Sequence, residues 1–229
     1  IIFSPMTHSV HNLKYQQVHT LDGYCLFMLR STYETIGGFD EDYKAWHGYD
    51  IDICTKALSH GFKNYVIDQP SQHYSWGSSG PELTTALIKF KEKWKNMTFE
   101  TISHHAVTRL PKGRLKICVY TICRDELQFC ERFAKSCEDA DGVYVLDTGS
   151  VDGTPEALAN LGINVDVVKF DKWKTLEEYD ALVADGKNPW RFDTSRNMSI
   201  DMVPKDADVL ISIDLDEILV PGWRKLIED

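Results

Sequence analysis

The second half of the sequence alternates between apolar, β-branched runs and segments with helical spacing, and this alternation limits the possible folds. "LKICVYTI" at residues 115–122 has the composition of a strand, and "DELQFCERFAKSCED" after it places apolar residues at helical spacing. "DGVYVLD", "INVDVVKF" and "DVLISIDLDEIL" repeat the strand pattern, with the helical segment "TSRNMSIDMV" between the last two. Alternation of this kind predicts an α/β fold with a mostly parallel sheet and helices on both faces.

Acidic residues directly follow the last of these apolar runs. Asp214, Asp216 and Glu217 crowd together there, although carboxylates repel each other and are costly to desolvate. In parallel α/β sheets, ligands bind at the carboxyl ends of the strands. Oxygen ligands without His or Cys favour Mg²⁺ or Mn²⁺, commonly shared with substrate phosphates. The alternative is a solvated acidic turn, but the apolar strand before it favours the metal site.

A second polar cluster, "VLDTGSVDGT", follows another predicted strand. Asp147 ends this strand, and Gly149, Ser150, Asp152 and a further glycine form a turn whose backbone a ligand can approach closely. Asp147 is placed to accept hydrogen bonds from a nucleotide base or ribose. The alternative is an Asp/Gly-rich turn that only caps the following helix.

The first half predicts a strand, a short helix, a Gly-Gly turn, and then a helix that stops at Gly61 before another strand. Asp50 lies in the acidic stretch "GGFDEDYKAWHGYDIDI", where it is a candidate general base or a helix cap. His73, in the loop "SQHYSWGSSG", is a candidate metal ligand or a structural histidine. Residues 97–114 have weaker patterning, and "RLPKG" predicts a linker there.

Composition excludes several classes of function. The formal net charge of −10 argues against nucleic acid as a partner, since binding to its backbone needs clustered Lys and Arg. No apolar run approaches the roughly 18 residues of a membrane span. The six cysteines show no CxxC spacing, which predicts reduced core thiols and a cytoplasmic protein.

Taken together, these segments resemble the family 2 glycosyltransferases of the GT-A fold. "RDE", "DTGSVDGT", "RFDTSRN" and "ISIDLDE", in that order, are similar to the nucleotide-sugar half of such an enzyme, over residues 115–229. "DGYCLFMLR", "GGFDEDY", "GYDIDI" and "QHYSWG" are similar to its acceptor half, over residues 1–100, with 101–114 as the linker. The resemblance implies a GT-A-like Rossmannoid fold and a hexosyltransferase activity.

The resemblance also implies a donor site in the second half. Asp147 would hold the base of a nucleotide diphosphate sugar, with a UDP-sugar favoured, and Asp152 would support its turn. Arg196 matches the Arg of the "RN" pair that often precedes the DxD strand in this family. The residues implied to bind the nucleotide sugar are Arg124, Asp147, Gly149, Ser150, Asp152 and Arg196.

The metal and the catalytic base follow from the same resemblance. Asp214 and Asp216 match the DxD motif, whose carboxylates bind Mn²⁺ or Mg²⁺ between the two phosphates, and His73 matches a late histidine that often completes this site. Asp50 matches the base that deprotonates a hydroxyl of a glycan or another acceptor. The implied chemistry is inverting transfer, with the base raising the nucleophilicity of the acceptor.

The sequence departs from the family pattern in two ways. Tyr49 stands where an acidic residue usually precedes the base, and the acceptor-type half comes before the donor-type half. The chain is therefore a fragment spanning two tandem transferase domains, a circularly permuted single domain, or two halves completed by another chain. The start at Ile rather than Met favours the fragment. In a tandem fragment, Asp50 and His73 would serve a different active site from Asp214 and Asp216.

Two rival functions remain open from the sequence. "DLDEIL" also resembles the nucleophile motif of haloacid dehalogenase phosphatases, although Ile218 stands where Thr or Val is usual. A non-catalytic module that binds sugars or nucleotide sugars would keep the same fold without turnover. Nucleotide binding without turnover would identify the module, and phosphoester hydrolysis would identify the phosphatase.

Overall fold

The computed structural model describes residues 2–5, 15–43, 47–67, 72–73, 81–99, 113–168 and 192–228. Residues 101–112 of the predicted linker and the side chain of His73 lie outside this description. The strands of the described residues are β1 (Ile2–Pro5), β2 (Tyr15–Val18), β3 (Cys25–Leu29), β4 (Asn64–Ile67), β5 (Gln72–His73), β6 (Ile117–Cys123), β7 (Gly142–Asp147), β8 (Asn164–Val167), β9 (Val209–Ile213) and β10 (Glu217–Ile218). The helices are α1 (Arg30–Ile36), α2 (Tyr49–Ser59), α3 (Pro81–Lys93), α4 (Cys130–Ser136), α5 (Thr154–Asn160), α6 (Phe192–Met202) and α7 (Trp223–Glu228), with a 3₁₀ turn at Leu127–Phe129.

Eight of the described strands form one sheet, in the order β2-β4-β1-β3-β9-β6-β7-β8. β9, β6, β7 and β8 run parallel to one another, and β1 runs parallel to β4. The other three pairings in this sheet, β1–β3, β2–β4 and β3–β9, are antiparallel. The predicted α/β fold with a mostly parallel sheet is therefore confirmed, with four of its seven pairings parallel.

The pairing of β3 with β9 joins the two halves of the chain in this sheet. Cys25 lies opposite Ile213 and Leu29 lies opposite Val209, in antiparallel register. β3 therefore begins at the edge of the sheet where the parallel strands end. We call this the carboxyl edge; it comprises the residues directly after β6, β7 and β9 and those directly before β3.

Alternate residues of the central strands face two hydrophobic cores, one on each face of the sheet. One core contains Phe27, Val119 and Ile211 and is closed by residues of α4, α5 and α7. The other lies on the opposite face, where α1, α2 and α6 pack, and it contains Leu26 and Leu210. Burial on both faces explains why these strands are continuous apolar runs rather than alternating polar and apolar residues.

Two elements differ from the prediction: the last strand ends earlier, and one helix begins in another form. The predicted last strand is interrupted, because β9 ends at Ile213 and β10 pairs with β5 in a separate two-stranded sheet. Between them, the Asp214 amide donates to the Glu217 carboxylate (2.9 Å) and the Glu217 amide donates to the Asp214 carbonyl (3.1 Å), which closes a turn. The helix predicted after β6 begins as the 3₁₀ turn at Leu127–Phe129.

The six cysteines are all buried free thiols. This arrangement agrees with the prediction of reduced core thiols. Among the described helices, none combines the length and the apolar character that a membrane crossing requires.

Candidate functional site

An ion pair between Arg196 and Asp214 lies at the carboxyl edge. Nη2 of Arg196 donates to Oδ1 of Asp214 at 3.1 Å and to Oδ2 at 3.4 Å, and Nη1 donates to the Ser212 hydroxyl at 2.9 Å. The guanidinium comes from α6 and is 3% exposed, whereas the Asp214 side chain follows β9 and is 39% exposed. Asp214 thus pairs with a buried cation, while its own side chain remains partly exposed.

Tyr49, the first residue of α2, completes the surroundings of this guanidinium. The centre of the guanidinium lies 4.7 Å from the centroid of the Tyr49 ring, and Nη2 also donates to the Tyr49 hydroxyl at 3.3 Å. Burial alone would lower the pKa of Arg196, but the Asp214 carboxylate and neighbouring tyrosines hold it above its ordinary value. Arg196 is therefore a permanent buried cation shared by both halves of the chain.

The charge of Asp214 acts on two further carboxyl groups, those of Glu126 and Glu217. Burial first, and then the charges of Asp214 and Asp216, raise the pKa of Glu126 to about 8. Burial and the Asp214 charge raise the pKa of Glu217 well above its ordinary value, which favours its protonated form. Clustered carboxyl groups with raised pKa values are typical of functional sites, although structural networks also produce them.

Asp147 lies deep beneath the loop that follows β7. It is fully buried, and its Oδ1 accepts hydrogen bonds from the amides of Gly149 and Ser150, both at 2.8 Å. Its Oδ2 accepts from the Ser150 hydroxyl at 2.5 Å and from the Cys123 thiol at 3.3 Å. Gly149 has a φ of 102°, which favours glycine at this point of the turn. Both oxygens of Asp147 thus bind its own loop and β6, so Asp147 shapes the turn from within.

Reciprocal hydrogen bonds join this loop to the one after β6. Oδ1 of Asp125 accepts from the Val151 amide at 2.8 Å, and the Asp125 amide donates to the Ser150 hydroxyl at 2.7 Å. Asp152 accepts from the Leu127 amide at 3.0 Å, which fixes the start of the 3₁₀ turn. Asp125 adopts a left-handed φ of 53°, a cost that these bonds offset.

Arg124, the first residue after β6, lies on the surface of this joined pair of loops. Its side chain is 42% exposed and its Nε lies 3.6 Å from Oδ2 of Asp125. A partly exposed guanidinium beside a fixed turn is suited to contact an anionic ligand, because it presents several donors in one plane.

Asp50 reaches the carboxyl edge through the segment before β3. Its Oδ2 accepts from the Gly23 amide at 3.0 Å, and Gly23 lies two residues before the start of β3. Its Oδ1 accepts from the Ile51 amide at 2.8 Å at the start of α2. Burial, and to a smaller degree the charge of Asp22, raise the pKa of Asp50 above its ordinary value.

His73 is placed by its backbone alone. In the two-stranded sheet it lies opposite Glu217, three residues after Asp214. Asp216, the second carboxylate of the "DLD" sequence, is 7% exposed. Among the residues that the structure describes, no group of three or more His, Cys, Asp or Glu side chains is arranged to hold a metal ion by itself.

The structure adds residues that the sequence did not single out. Tyr49 entered the sequence analysis only as a departure from a family pattern, and Glu126 and Ser212 did not enter it as site residues. Glu126 has a local signal, because it is a carboxylate three residues after the end of β6. Ser212 lies inside an apolar strand, and only its contact with Arg196 identifies it.

Comparison with known proteins identifies no family for this chain. No family model matches the sequence, and no curated protein matches it. Among solved structures, the chain is similar to the mannosyltransferase PcManGT from Pyrobaculum calidifontis in complex with GDP-Man and Mn2+, with 18% identity over 44% of this chain and a TM-score of 0.24. The match spans 30% of that protein's chain, and a likeness this limited carries no conclusion about function.

Proposed function

We propose that this protein is a metal-dependent glycosyltransferase of the GT-A type, related to family 2, that transfers a sugar from a nucleotide diphosphate sugar to an acceptor hydroxyl with inversion. One observation carries the proposal. The Arg196–Asp214 pair, the joined loops after β6 and β7, and Asp50 all lie at the carboxyl edge of one α/β sheet. Ligands of such sheets bind at this edge.

Asp214 and Asp216 are the residues that would hold Mn²⁺ or Mg²⁺, with His73 as a further candidate. Their donor chemistry fits a hard cation, and the Asp214 side chain is 39% exposed. A cation of this kind is usually bound by one or two carboxylates together with substrate phosphates, so a full set of protein ligands is not needed. When bound, it would stabilise the negative charge of the departing nucleoside diphosphate.

The loops after β6 and β7 would hold the nucleotide. Gly149 and Ser150 are partly exposed in the turn after β7, and Asp152 fixes that turn to the neighbouring loop. Arg124 would contact the nucleotide or its phosphates. We assign Asp147 a supporting role, because it is fully buried and its two oxygens together accept four hydrogen bonds from within the protein.

Asp50 would act as the general base toward the acceptor hydroxyl. Its raised pKa makes it a stronger base than an ordinary Asp, and general bases work best with a pKa near the working pH. We further propose that residues 1–100 supply the acceptor side and residues 115–229 the donor side of a single site, as in a permuted domain. The β3–β9 pairing supports this arrangement over two separate truncated sites.

The test is Mn²⁺-dependent binding of UDP or GDP, followed by turnover of the corresponding sugar nucleotides. We expect Mn²⁺ with one of these nucleotides to raise the melting temperature of the protein, and Asp214→Ala to abolish the rise. Asp201→Ala, at an exposed position on α6, is the control and should keep it. Stabilisation without turnover would identify a non-catalytic module. Phosphoester hydrolysis without nucleotide binding would identify a phosphatase, and no response at all would contradict the proposal.

A further inference from the structure

Tyr49 lies where the two halves of the chain meet at the carboxyl edge. It is 9% exposed, belongs to α2 of the first half, and packs its ring over the guanidinium of Arg196 in the second half. Gly23 leaves room for its hydroxyl: a Cβ added at Gly23 would lie 2.2 Å from that oxygen. The ring is therefore enclosed between the segment before β3 and the Arg196 side chain.

We propose that Tyr49 is a positioning residue for Asp214 and that it acts through Arg196. The carboxylate at the end of β9 is then oriented by a side chain from the other half of the chain. This inference rests on the proposed function in one respect, namely that Asp214 serves a cation and a nucleoside diphosphate.

The contacts of the guanidinium explain how Tyr49 can act at a distance. Nη1 of Arg196 is fixed by Ser212, whereas Nη2 is shared between the Tyr49 hydroxyl and the Asp214 carboxylate. Nε of Arg196 is buried and has no hydrogen-bond partner among the described residues. The hydrogen bond from Nη1 to Ser212 alone would still let the guanidinium turn. The Tyr49 ring and the two acceptors of Nη2 therefore restrict its orientation.

A fixed guanidinium in turn fixes Asp214. The carboxylate accepts from Nη2 with both oxygens, and the Asp214 side chain remains 39% exposed. A ligating carboxylate that is hydrogen-bonded on one side presents its remaining lone pairs in a defined direction, and loss of such a supporting contact typically costs 10- to 100-fold in affinity. Loss of the Tyr49 ring should also lower the affinity for the ligand, because Tyr49 supports Arg196 and Arg196 in turn supports Asp214.

The first experiment needs no ligand. In a double-mutant cycle, Tyr49→Leu and Asp214→Asn should be non-additive by about fivefold in the unfolding equilibrium constant, since contacting networks couple their members. The coupling should disappear in an Arg196→Met background. Tyr33→Phe is the matched control, because it removes a hydroxyl that donates to Asn197 on α6, next to Arg196, at 2.7 Å. Its cycle with Asp214→Asn should be additive within about twofold.

The second experiment measures binding of UDP or GDP with Mn²⁺ by calorimetry. Tyr49→Leu should weaken binding about tenfold, whereas Tyr33→Phe should change it less than about twofold. If Tyr49→Leu does not fold, Gly23→Ala replaces it. That variant keeps all three side chains but forces the Tyr49 hydroxyl away, so it should weaken binding to a similar extent.

The outcomes separate this inference from the proposed function. An additive cycle would overturn the inference whether or not the protein binds nucleotides. The inference would also be overturned if the cycle shows coupling but Tyr49→Leu and Gly23→Ala bind the nucleotide as tightly as the wild type does. Coupling in a wild-type protein that binds neither nucleotide would support the positioning of Asp214 by Tyr49 and contradict the proposed function alone.

Discussion

Replacing Asp147 by Asn tests whether this buried carboxylate holds the loop after β7 in shape. Asp147 is fully buried and accepts four hydrogen bonds, two from the amides of Gly149 and Ser150 and two from the Ser150 hydroxyl and the Cys123 thiol. Asn has nearly the same shape but is neutral and offers one acceptor oxygen where Asp has two. The substitution therefore changes the hydrogen bonding and leaves the packing almost intact.

The expected cost follows from these contacts. The two amides keep an acceptor but lose its charge, which reduces each hydrogen bond by about 1 kcal/mol. The hydroxyl and the thiol lose their acceptor and face an NH₂ group, which adds about 1 kcal/mol. The neutral amide costs less to bury than a carboxylate, and this recovers about 1 kcal/mol. We therefore expect Asp147→Asn to lower the free energy of unfolding by about 2 kcal/mol.

Urea unfolding followed by circular dichroism measures this difference directly. Asp166→Asn is the control, because it makes the same chemical change at an exposed position on β8, where there are no buried contacts to lose. It should alter the free energy of unfolding by less than about 0.5 kcal/mol. Equal effects of the two substitutions would refute the reasoning, since the loop would then not depend on the Asp147 charge.

Three further predictions concern the other acidic residues. Asp50→Asn should lower sugar transfer at least about 100-fold with nucleotide affinity unchanged, as transfer assays and calorimetry would reveal; an equal loss of affinity would contradict its role as base. Glu126 has a folded pKa of about 8, above its unfolded value, so its stabilising contribution is lost as pH rises from about 4.5 to about 8. In metal-free urea titrations, the free energy of unfolding of Glu126→Gln should therefore rise relative to that of the wild type as the pH increases over this range. A difference between the two proteins that does not change with pH would contradict the raised pKa of Glu126. Asp52 is 1% exposed and accepts hydrogen bonds from Trp94 and Lys93. Asp52→Asn should therefore lower the free energy of unfolding by about 2 kcal/mol, whereas Glu92→Gln, at an exposed position, should leave it almost unchanged in the same urea titrations.

The sequence predicted those parts of the fold that have a local signal. Burial on both faces makes β6 and β9 continuous apolar runs, and the polar residues that follow them mark the carboxyl edge. The pairing of β3 with β9 has no such signal. Its partners lie far apart in the sequence, and their antiparallel register depends on how the two cores fill rather than on neighbouring residues.

The candidate site was predictable to a similar extent. The sequence shows which types of residue follow the strands, but it does not show in which direction their side chains point. Asp147 shows this most clearly, because "DTGS" is typical both of a ligand-binding turn and of a turn closed by its own aspartate. The hydrogen bonds from the amides of Gly149 and Ser150 show that Asp147 closes its own turn, which differs from the helix-capping turn that the sequence suggested as the alternative. Tyr49 could not be assigned, since its partner Arg196 is on another helix.

The direction of β3 explains how a residue of the first half reaches the second half's carboxylates. If β3 ran parallel to β9, the residues before it would lie at the opposite edge of the sheet from Asp214. Because it runs antiparallel, Gly23 comes to the carboxyl edge, and its amide holds Asp50 there at 3.0 Å. Tyr49, next to Asp50 on α2, then meets Arg196. The proposed base and the proposed diphosphate site can therefore share one edge, although the acceptor-type half comes before the donor-type half along the chain.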